Sequence, residues 1–344
     1  MIRPDPYRAA REGAALVDRS DRGRLWLAGP DRATYLQGLL TNDIKALPAG
    51  AGCYAAWLTA QGRMVSDVRV YELGDGMLLT LPGPRASLVR DRLEQLIFAE
   101  QVSVEDRTRS WSQVGVHGPH AAGALTVALG AVGVDLPAAE RVAGFEGLRC
   151  ERLMGGAGEL IVVGTDELGG GLDVVAEAGL GAAVRSGLEA AGAVALPAAV
   201  VEALRVEAGL PEFGVDMDED TIPLEAGLES RAISFTKGCY VGQEVIVRVR
   251  DRGHGRVARR LVGLVLEGSD TTVVPVRGAA LRAGDRDIGR VTSAVWSPAL
   301  GQAIALGYVH RDFTEPGTTV TVATDRGAVD ARIRALPFIQ RHSL

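Results

Sequence analysis

The sequence predicts an α+β protein whose C-terminal part is a separate domain built mostly of strands. Over about the first 250 residues, apolar side chains change repeatedly between strand and helix spacing. From Leu261 onward, short apolar runs are separated by Gly, Asp and Pro, and helical spacing is scarce, which predicts a small antiparallel barrel or sandwich. The length of 344 residues favours two or three domains, and the 44 glycines favour many turns.

The N-terminal part begins with a predicted strand, turn and helix. Leu25 to Leu27 are apolar and are followed by Gly29-Pro30, a pair that favours a turn. Asp31 then stands where a helix N-cap is expected. The leucines that follow at helical spacing are Leu36, Leu39 and Leu40.

A second predicted strand carries chemically interesting side chains. Val65 to Tyr71 alternate between apolar and polar residues, as in a half-buried strand. Val68 and Val70 would face the core. Because side chains two apart on a strand point the same way, the other face would carry Asp67, Arg69 and Tyr71.

Further helices and strands follow along the chain. After Gly83-Pro84, one helical stripe is expected to carry Leu88, Val89, Leu93, Leu96 and Ile97. Val114 and Val116 precede Gly118-Pro119, which predicts a strand, a turn and a helix start.

The uncharged run from Pro119 to Val134 is too short for a membrane span and is interpreted as a buried helix. A second unit runs from Glu159 to Val163, through a glycine-rich turn, to a helix that ends near Ala191. Residues 251–260 are polar and rich in Arg and Gly, which indicates a linker. The barrel or sandwich strands are predicted at Leu261 to Leu266, Thr271 to Val276, Ala303 to Val309 and Thr318 to Val322.

Composition and charge exclude several classes of protein. The formal net charge of −6 provides no broad basic surface, so we expect no direct contact with nucleic acid and no membrane association. Residues 1–13 are charged and lack an apolar stretch, so no signal peptide is expected. Cys53, Cys150 and Cys239 form neither a disulfide framework nor a C-x-x-C pair, which fits a reducing cytoplasm.

No metal site is expected from the sequence. It contains no phosphate-binding loop, no G-x-G-x-x-G turn and no H-E-x-x-H helix. His117 and His120 bracket Gly118-Pro119, and either a metal site or a structural role in the turn is open, with the structural role favoured. The five histidines supply no ligand cluster.

The most specific motif lies between residues 205 and 250. Lys237 to Glu244 reads KGCYVGQE and resembles the K-G-C-[FY]-x-G-Q-E signature of the YgfZ family, a branch of the aminomethyltransferase superfamily. Arg205 to Pro211 reads RVEAGLP, which matches the R-x-E-A-G-x-P stretch expected upstream. The segments that also resemble glycine-cleavage T-proteins are Leu40 to Asp43, Gly62 to Tyr71 and Ser297 to Gly301, so the resemblance covers nearly the whole chain.

The resemblance implies a three-domain ring around a central folate site. Residues 1–250 would form a folate-binding region of two interleaved α+β subdomains, and residues 261–344 an antiparallel β-barrel. The ligand would be tetrahydrofolate or a one-carbon derivative of it. The YgfZ branch further implies a role in assembly or repair of iron–sulfur clusters, with iron–sulfur client or assembly proteins as partners and only indirect effects on tRNA modification.

Two alternatives to this function stay open. One is a folate-dependent aminomethyltransferase or demethylase that transfers a one-carbon unit to tetrahydrofolate. The other is an interaction protein that kept the fold and lost the ligand. Residues 199–202 read AVVE where T-proteins usually have G-A-R-D, which disfavours glycine cleavage and favours the YgfZ branch.

The resemblance also implies roles for individual residues at the folate. Asp67 matches the T-protein aspartate implicated in catalysis, where a carboxylate can stabilise positive charge or accept a proton. Tyr71 would share its strand face, and Tyr54 matches a tyrosine that lines the folate site. Glu159 is placed where a glutamate holds the pterin edge. From periodicity alone, a solvated strand face with a hydrogen-bonded carboxylate is the favoured interpretation of Asp67, and the resemblance reverses that preference. Tyr54 could also be an aromatic core residue, and Glu159 without the resemblance would be an ordinary charge at a strand start.

Cys239 has two interpretations. In the first, the resemblance places the Cys239 thiol near the folate, with Lys237, itself expected to bind the folate, close enough to favour the thiolate. The thiol could then act as a nucleophile or contact an iron–sulfur cluster in transit. Alternatively it is a small buried side chain in a glycine-bracketed turn. Gly238 and Gly242 are expected to adopt unusual backbone angles or allow close approach, and Gln243 and Glu244 to orient the loop or serve structure alone.

Overall fold

The computed structural model describes residues 5–252, 255–267 and 273–340. Its α-helices are α1 (Pro6–Glu12), α2 (Arg32–Gln37), α3 (Ala86–Gln95), α4 (Ala121–Ala131), α5 (Leu136–Ala143), α6 (Ala178–Ala190), α7 (Ala198–Glu207), α8 (Glu229–Ala232) and α9 (Gln243–Val247). Its strands are β1 (Ala15–Asp18), β2 (Arg22–Ala28), β3 (Gly52–Leu58), β4 (Met64–Glu72), β5 (Gly76–Pro82), β6 (Ser103–Asp106), β7 (Trp111–His117), β8 (Cys150–Gly155), β9 (Gly158–Thr165), β10 (Gly171–Glu177), β11 (Val194–Ala195), β12 (Arg259–Leu266), β13 (Ala280–Ala283), β14 (Arg286–Ser297), β15 (Gln302–His310), β16 (Thr319–Thr324) and β17 (Gly327–Arg334).

Sheet one has the order β3-β4-β5-β2-β6 and is antiparallel throughout. The predicted strand at Leu25 to Leu27 is confirmed in β2, and the predicted helix after Asp31 is confirmed as α2. Asp31 is the N-cap by position, but its carboxylate accepts from the Gln101 backbone N–H instead of capping. Leu36 of α2, Leu39 and Leu40 just after it, and Val89 and Leu93 of α3 pack with Val68 and Val70 on one face of this sheet. Leu96 was predicted in the stripe of α3, but it lies just after this helix and is 40% exposed.

Strand β4 is buried on both faces, so the half-buried strand expected from its alternation is wrong. Val68 and Val70 face the helices as predicted. The opposite face is covered by sheet two, where Tyr71 packs against Ile161, and by the segment 213–257. Polar side chains on that face are therefore held away from bulk water.

Sheet two has the order β11-β1-β7-β10-β9-β8, with β1 and β11 parallel and the other pairs antiparallel. The predicted strands at residues 114–116 and 159–163 are confirmed in β7 and β9, and the predicted helices are confirmed as α4 and α6. Strand β10 between them was not predicted, because the three glycines at 169–171 indicated only a turn. Helices α4, α5 and α6 cover one face of the sheet, and the other face meets sheet one.

The C-terminal strands close into a barrel with the order β12-β15-β14-β13-β16-β17. This confirms the predicted fold class, α+β with an antiparallel C-terminal barrel, and decides between barrel and sandwich. The apolar run at 271–276 was predicted as a strand; positions 271 and 272 lie outside the described residues, and 273–276 form none. The predicted linker at 251–260 includes positions 253 and 254, which also lie outside the described residues. The division into residues 1–250 and 261–344 stays a prediction. In the described part of the chain, every helix is too short or too polar to cross a membrane.

The described residues between 208 and 258 contact both sheet one and the barrel. Ile233 and Tyr240 of this segment pack against Tyr54 of sheet one. The Leu261 N–H at the start of the barrel donates to the Glu225 carbonyl at 2.8 Å. Helix α7, just before the segment, packs its Val206 against the barrel. This segment and α7 therefore connect sheet one to the barrel.

Candidate functional site

Asp67 and Tyr54 form a hydrogen-bonded pair on neighbouring strands of sheet one. The Tyr54 hydroxyl donates to Asp67 Oδ2 at 2.9 Å, and the two residues are 4% and 5% exposed, respectively. The second carboxylate oxygen, Asp67 Oδ1, is buried and has no hydrogen-bond partner among the described residues. A buried oxygen in this state costs about 1–3 kcal/mol of free energy unless a donor reaches it. The pair therefore presents an unused acceptor in the interior.

Two arginines stack on Tyr54. The Arg69 guanidinium lies 5.0 Å from the centre of the tyrosine ring, and the Arg231 guanidinium lies 5.2 Å from it. Cation–π contacts of this kind stabilise both partners when water is excluded. Arg69 was predicted on the same strand face as Asp67 but without a role, and Arg231 was not singled out by the sequence.

Asp166 joins these arginines from sheet two. Arg69 Nε donates to Asp166 Oδ1 at 2.8 Å, and Arg231 donates to Oδ2. Burial by itself would raise the pKa of Asp166, but the charges of Arg69 and Arg231 outweigh it and lower the pKa to about 2. Asp166 is thus ionised in the folded protein and fixes both guanidinium groups over the tyrosine.

Glu167 is a second buried carboxylate next to this cluster. Arg19 Nη1 lies 2.8 Å and Arg69 Nη1 2.8 Å from its oxygens, and Arg22 lies 3.6 Å away. Burial opposes its ionisation, but these arginines hold the pKa of Glu167 well below its usual range. Sequence reasoning missed both acids; the signal was an Asp-Glu pair at the end of an apolar strand and before three glycines.

Tyr71 shares the strand face of Asp67 but has a different partner. Its hydroxyl donates to the Gly164 carbonyl at 3.1 Å, and the side chain is 1% exposed. This bond joins sheet one to sheet two. Tyr71 therefore helps to dock the two sheets. It lies two residues after Arg69, which binds Asp166.

Glu159 is not brought together with Asp67. Hydrogen bonds between the sheets follow the order of residues along β4. Arg69 binds Asp166, and two residues later Tyr71 binds the Gly164 carbonyl. Asp75, just after the strand, binds Arg152. Arg152 is also the partner of Glu159, with Nε 3.3 Å from the carboxylate, whose side chain is 34% exposed. Glu159 therefore lies at the opposite end of the interface between the sheets, and its role at the pterin stays a prediction.

Lys237 is anchored in the turn that follows α2. Its ammonium donates to the carbonyl oxygens of Gln37 at 2.7 Å, Leu40 at 2.6 Å and Asn42 at 2.8 Å. Burial lowers the pKa of Lys237 to about 8. These three bonds use all the N–H donors of a lysine, which leaves none for the Cys239 thiol. The Asn42 amide in turn donates to the Tyr54 carbonyl at 2.8 Å, so Lys237 supports the strand that carries Tyr54.

Cys239 is exposed, so the alternative of a buried structural side chain is wrong. The glycines on either side of it differ. Gly242 has a φ of +83°, and a Cβ there would lie 2.3 Å from the Thr59 carbonyl oxygen. Gly238 has a φ outside the left-handed region, and a Cβ there would meet nothing within 4 Å. The backbone therefore requires glycine at 242 and not at 238.

Comparisons with known proteins identify the family. Residues 4–237 match the GCVT N-terminal domain, and residues 259–340 match the glycine cleavage T-protein C-terminal barrel domain. The chain belongs to the glycine-cleavage T-protein superfamily. It is similar to an aminomethyltransferase of Rubrobacter xylanophilus, with 33% identity over 97% of this chain and 86% of the relative. An aminomethyltransferase of Streptomyces coelicolor is 32% identical over 97% of this chain and 88% of that protein.

The fold is also that of a solved T-protein. The glycine cleavage system aminomethyltransferase T from Bartonella henselae superposes with a TM-score of 0.85 at 22% identity, over 98% of this chain and 90% of that one. These relatives bear the name aminomethyltransferase, so the T-protein superfamily is established and the narrower YgfZ assignment stays a prediction.

Two motifs shared with T-proteins meet in the structure and serve its assembly. The Ser297 hydroxyl of the barrel donates to Glu207 Oε1 at 2.5 Å. Glu207 also accepts from the Tyr7 hydroxyl at 2.9 Å and from Arg11 of the same N-terminal helix. In the present protein, the R-x-E-A and S-P-x-L-G motifs therefore join α7, the barrel and α1.

The two histidines that flank Gly118-Pro119 have separate surroundings, and their predicted structural role in the turn stays a prediction. His117 Nδ1 lies 2.9 Å from the Gly170 carbonyl oxygen, and burial lowers the pKa of His117. His120 is the N-cap residue of α4. Within the described residues, no group of three or more His, Cys, Asp or Glu side chains is placed to hold a metal ion.

Proposed function

We propose that this protein binds a reduced folate at Asp67 and takes part in one-carbon transfer, as the name of its relatives says of them. The observation that carries the proposal is the free Oδ1 of Asp67, a buried carboxylate oxygen without a donor. The N–H groups of a tetrahydrofolate are donors of the kind that this oxygen lacks, so the residues present fit the ligand.

Each residue of the cluster has a distinct task in this proposal. Asp67 Oδ1 accepts from the ligand and can hold a proton or balance positive charge at a reacting amine. Tyr54 fixes the orientation of the carboxylate through Oδ2. Arg69 and Arg231 are positioning residues, because their guanidinium groups lie over the Tyr54 ring and are held by Asp166.

Anaerobic calorimetric titration of tetrahydrofolate tests the proposal. The variant Asp67→Asn keeps an oxygen for the Tyr54 hydroxyl but places an amide N–H₂ where Oδ1 lies, so a ligand donor would meet another donor. We expect its affinity to fall tenfold or more, equal to about 1.4 kcal/mol. The matched control Asp287→Asn alters an exposed carboxylate of the barrel and should bind as the wild type does.

A third variant, Glu159→Gln, decides between two ends of the sheet interface. Unchanged binding by Glu159→Gln together with weak binding by Asp67→Asn would support the Asp67 site. The reverse pattern would place the pterin beside Arg152 and contradict the site proposed here. Absence of folate binding by the wild type would reject the function. If the wild type does bind folate, a second assay measures the release of methylene-tetrahydrofolate from an amine donor. Release would show a transferase, and its absence would show a protein that only binds folate.

The second candidate function is assembly or repair of iron–sulfur clusters in client enzymes. The observation that favours it is the exposed thiol of Cys239, in the loop that Lys237 anchors. One thiol cannot hold a cluster alone, so a client or assembly protein would supply the other ligands. In a strain that lacks the gene, we expect wild type and Cys53→Ser to restore iron–sulfur enzyme activities and Cys239→Ser to fail. Full rescue by Cys239→Ser would exclude the thiol from this function.

A further inference from the structure

The turn between β9 and β10, residues 166–170, carries the two acids that bind the arginines of the site, and its backbone is strained. Leu168 has a φ of +50°, and in the described part of the chain it is the one residue other than glycine with a positive φ. Gly169 and Gly170 follow with φ values of +92° and +113°. A side chain at positive φ costs free energy and persists only where its surroundings hold it. The contacts that hold this turn therefore also fix the two acids.

One side of the 166–170 turn borders open space. A cavity of about 520 Å³ has Leu168 to Leu172 in its wall, together with Phe145 and Leu204. Atoms that line an empty space lose the van der Waals contacts that a packed neighbour would give them. Packing on this side of the turn is therefore incomplete, and hydrogen bonds and ion pairs must supply the restraint.

His117, the last residue of β7, binds the backbone of the turn. Its Nδ1 lies 2.9 Å from the Gly170 carbonyl oxygen, and the residue is 3% exposed. A carbonyl oxygen only accepts hydrogen bonds, so Nδ1 carries the hydrogen. Burial lowers the pKa of His117, so the ring is neutral at pH 7 and a single tautomer donates to the turn.

Two glycines leave room for the His117 ring. A Cβ at Gly171 of β10 would lie 2.2 Å from Nδ1, and a Cβ at Gly115 of β7 would lie 3.1 Å from Nε2. A side chain at either position would crowd the imidazole. Glycine on both strands therefore allows the ring to reach the turn.

Two further hydrogen bonds of the turn stay within it or next to it. The Gly170 N–H donates to the Glu167 carbonyl at 2.8 Å, and the Glu167 N–H donates to Thr165 Oγ1 at 3.1 Å. These bonds shape the turn but do not tie it to another strand. His117 does, because it belongs to β7.

We propose that His117 is a positioning residue of the Asp67 site. Its Nδ1–H holds the 166–170 turn in the conformation in which Asp166 keeps two guanidinium groups over the Tyr54 ring. This inference rests on the proposed function and adds to it a residue that acts without touching the ligand.

Anaerobic calorimetric titration of tetrahydrofolate into three variants tests the inference. His117→Leu removes the hydrogen bond and should weaken binding at least tenfold. His117→Asn places an amide N–H close to the position of Nδ1 and should bind within about threefold of the wild type. The control Val322→Ala lowers stability in the barrel core and should leave the affinity unchanged. Wild-type affinity in His117→Leu, or equal losses in the Leu and Asn variants, would overturn the inference.

A double variant shows whether His117 acts through Asp166. If it does, His117→Leu combined with Asp166→Asn should bind tetrahydrofolate no more than about twofold more weakly than Asp166→Asn alone. Losses that multiply would show that the two residues act independently, and would overturn the positioning role.

Hydrogen exchange without folate separates this inference from the proposed function. His117→Leu should speed the exchange of the backbone amides in the 166–170 turn at least tenfold, and His117→Asn should not. Unchanged exchange in His117→Leu would overturn the inference, whatever the folate does. Absence of folate binding by the wild type, with faster exchange in His117→Leu, would reject the folate function and support the hold of His117 on the turn.

Discussion

Replacement of Asp166 by Asn tests the electrostatic cluster that holds the site together. The wild-type carboxylate binds Arg69 through one oxygen and Arg231 through the other. Asn keeps the shape but loses the charge, so Arg69, which is 7% exposed, is left with Glu167 as its remaining acidic partner. Both arginines lose the group that positions them over Tyr54.

The magnitude follows from the pKa and from burial. A pKa of Asp166 lowered from 3.8 to about 2 corresponds to about 2 kcal/mol of stability at neutral pH. Removal of one partner from a buried ion pair costs about 3–5 kcal/mol, and the Glu167 contact reduces that cost. We therefore expect Asp166→Asn to lose about 2–3 kcal/mol.

Urea unfolding between pH 7 and pH 2.5 is the assay. Because the folded pKa of Asp166 lies below its unfolded value, its contribution is complete above about pH 4 and is lost as the pH falls towards 2. The difference in stability between wild type and Asp166→Asn should therefore be constant from pH 7 to about pH 5 and narrow below pH 4. The control Asp91→Asn, which breaks an exposed pair with Arg90, should change stability by less than about 0.5 kcal/mol.

Two results would refute this reasoning. A stability of Asp166→Asn within about 0.5 kcal/mol of the wild type would mean that the buried pair contributes nothing net. A difference that widens on acidification would mean that the pKa of Asp166 is raised in the fold, opposite to the direction given by its arginine partners.

The cysteine loop provides two further predictions. Gly242→Ala should destabilise the protein by about 1–3 kcal/mol, because the φ of Gly242 is +83° and a Cβ there would press on the Thr59 carbonyl oxygen. The control Gly238→Ala should leave stability unchanged, since a Cβ there meets nothing within 4 Å. Thermal unfolding compares the two variants, and equal losses of stability would contradict the backbone argument. At pH 8, a thiol reagent should modify Cys239 first, because it is exposed and burial raises the pKa of Cys53 and of Cys150 to about 12. Mass spectrometry locates the label, and equal labelling of all three thiols would show that the loop or the core opens readily.

Local elements could be predicted from the sequence because their signals are local. The alternation at residues 65–71 predicted β4, and the uncharged run at 119–134 predicted α4. The short apolar runs after Leu261, separated by Gly, Asp and Pro, predicted the strand-rich C-terminal domain. The strength of the motif at Lys237 to Glu244 led to the superfamily, although this motif by itself favoured the narrower YgfZ branch.

The sequence by itself determined the superfamily, the α+β class and the candidate Asp67, since each rests on spacing along the chain or on a contiguous motif. Only the tertiary structure decided that β4 is buried on both faces, that Asp166 binds Arg69 and Arg231, and that Glu159 lies at the far end of the interface. The physical reason is that these contacts depend on how two sheets and a crossing segment dock. Periodicity determines which face a side chain occupies, but it carries no information on what will cover that face.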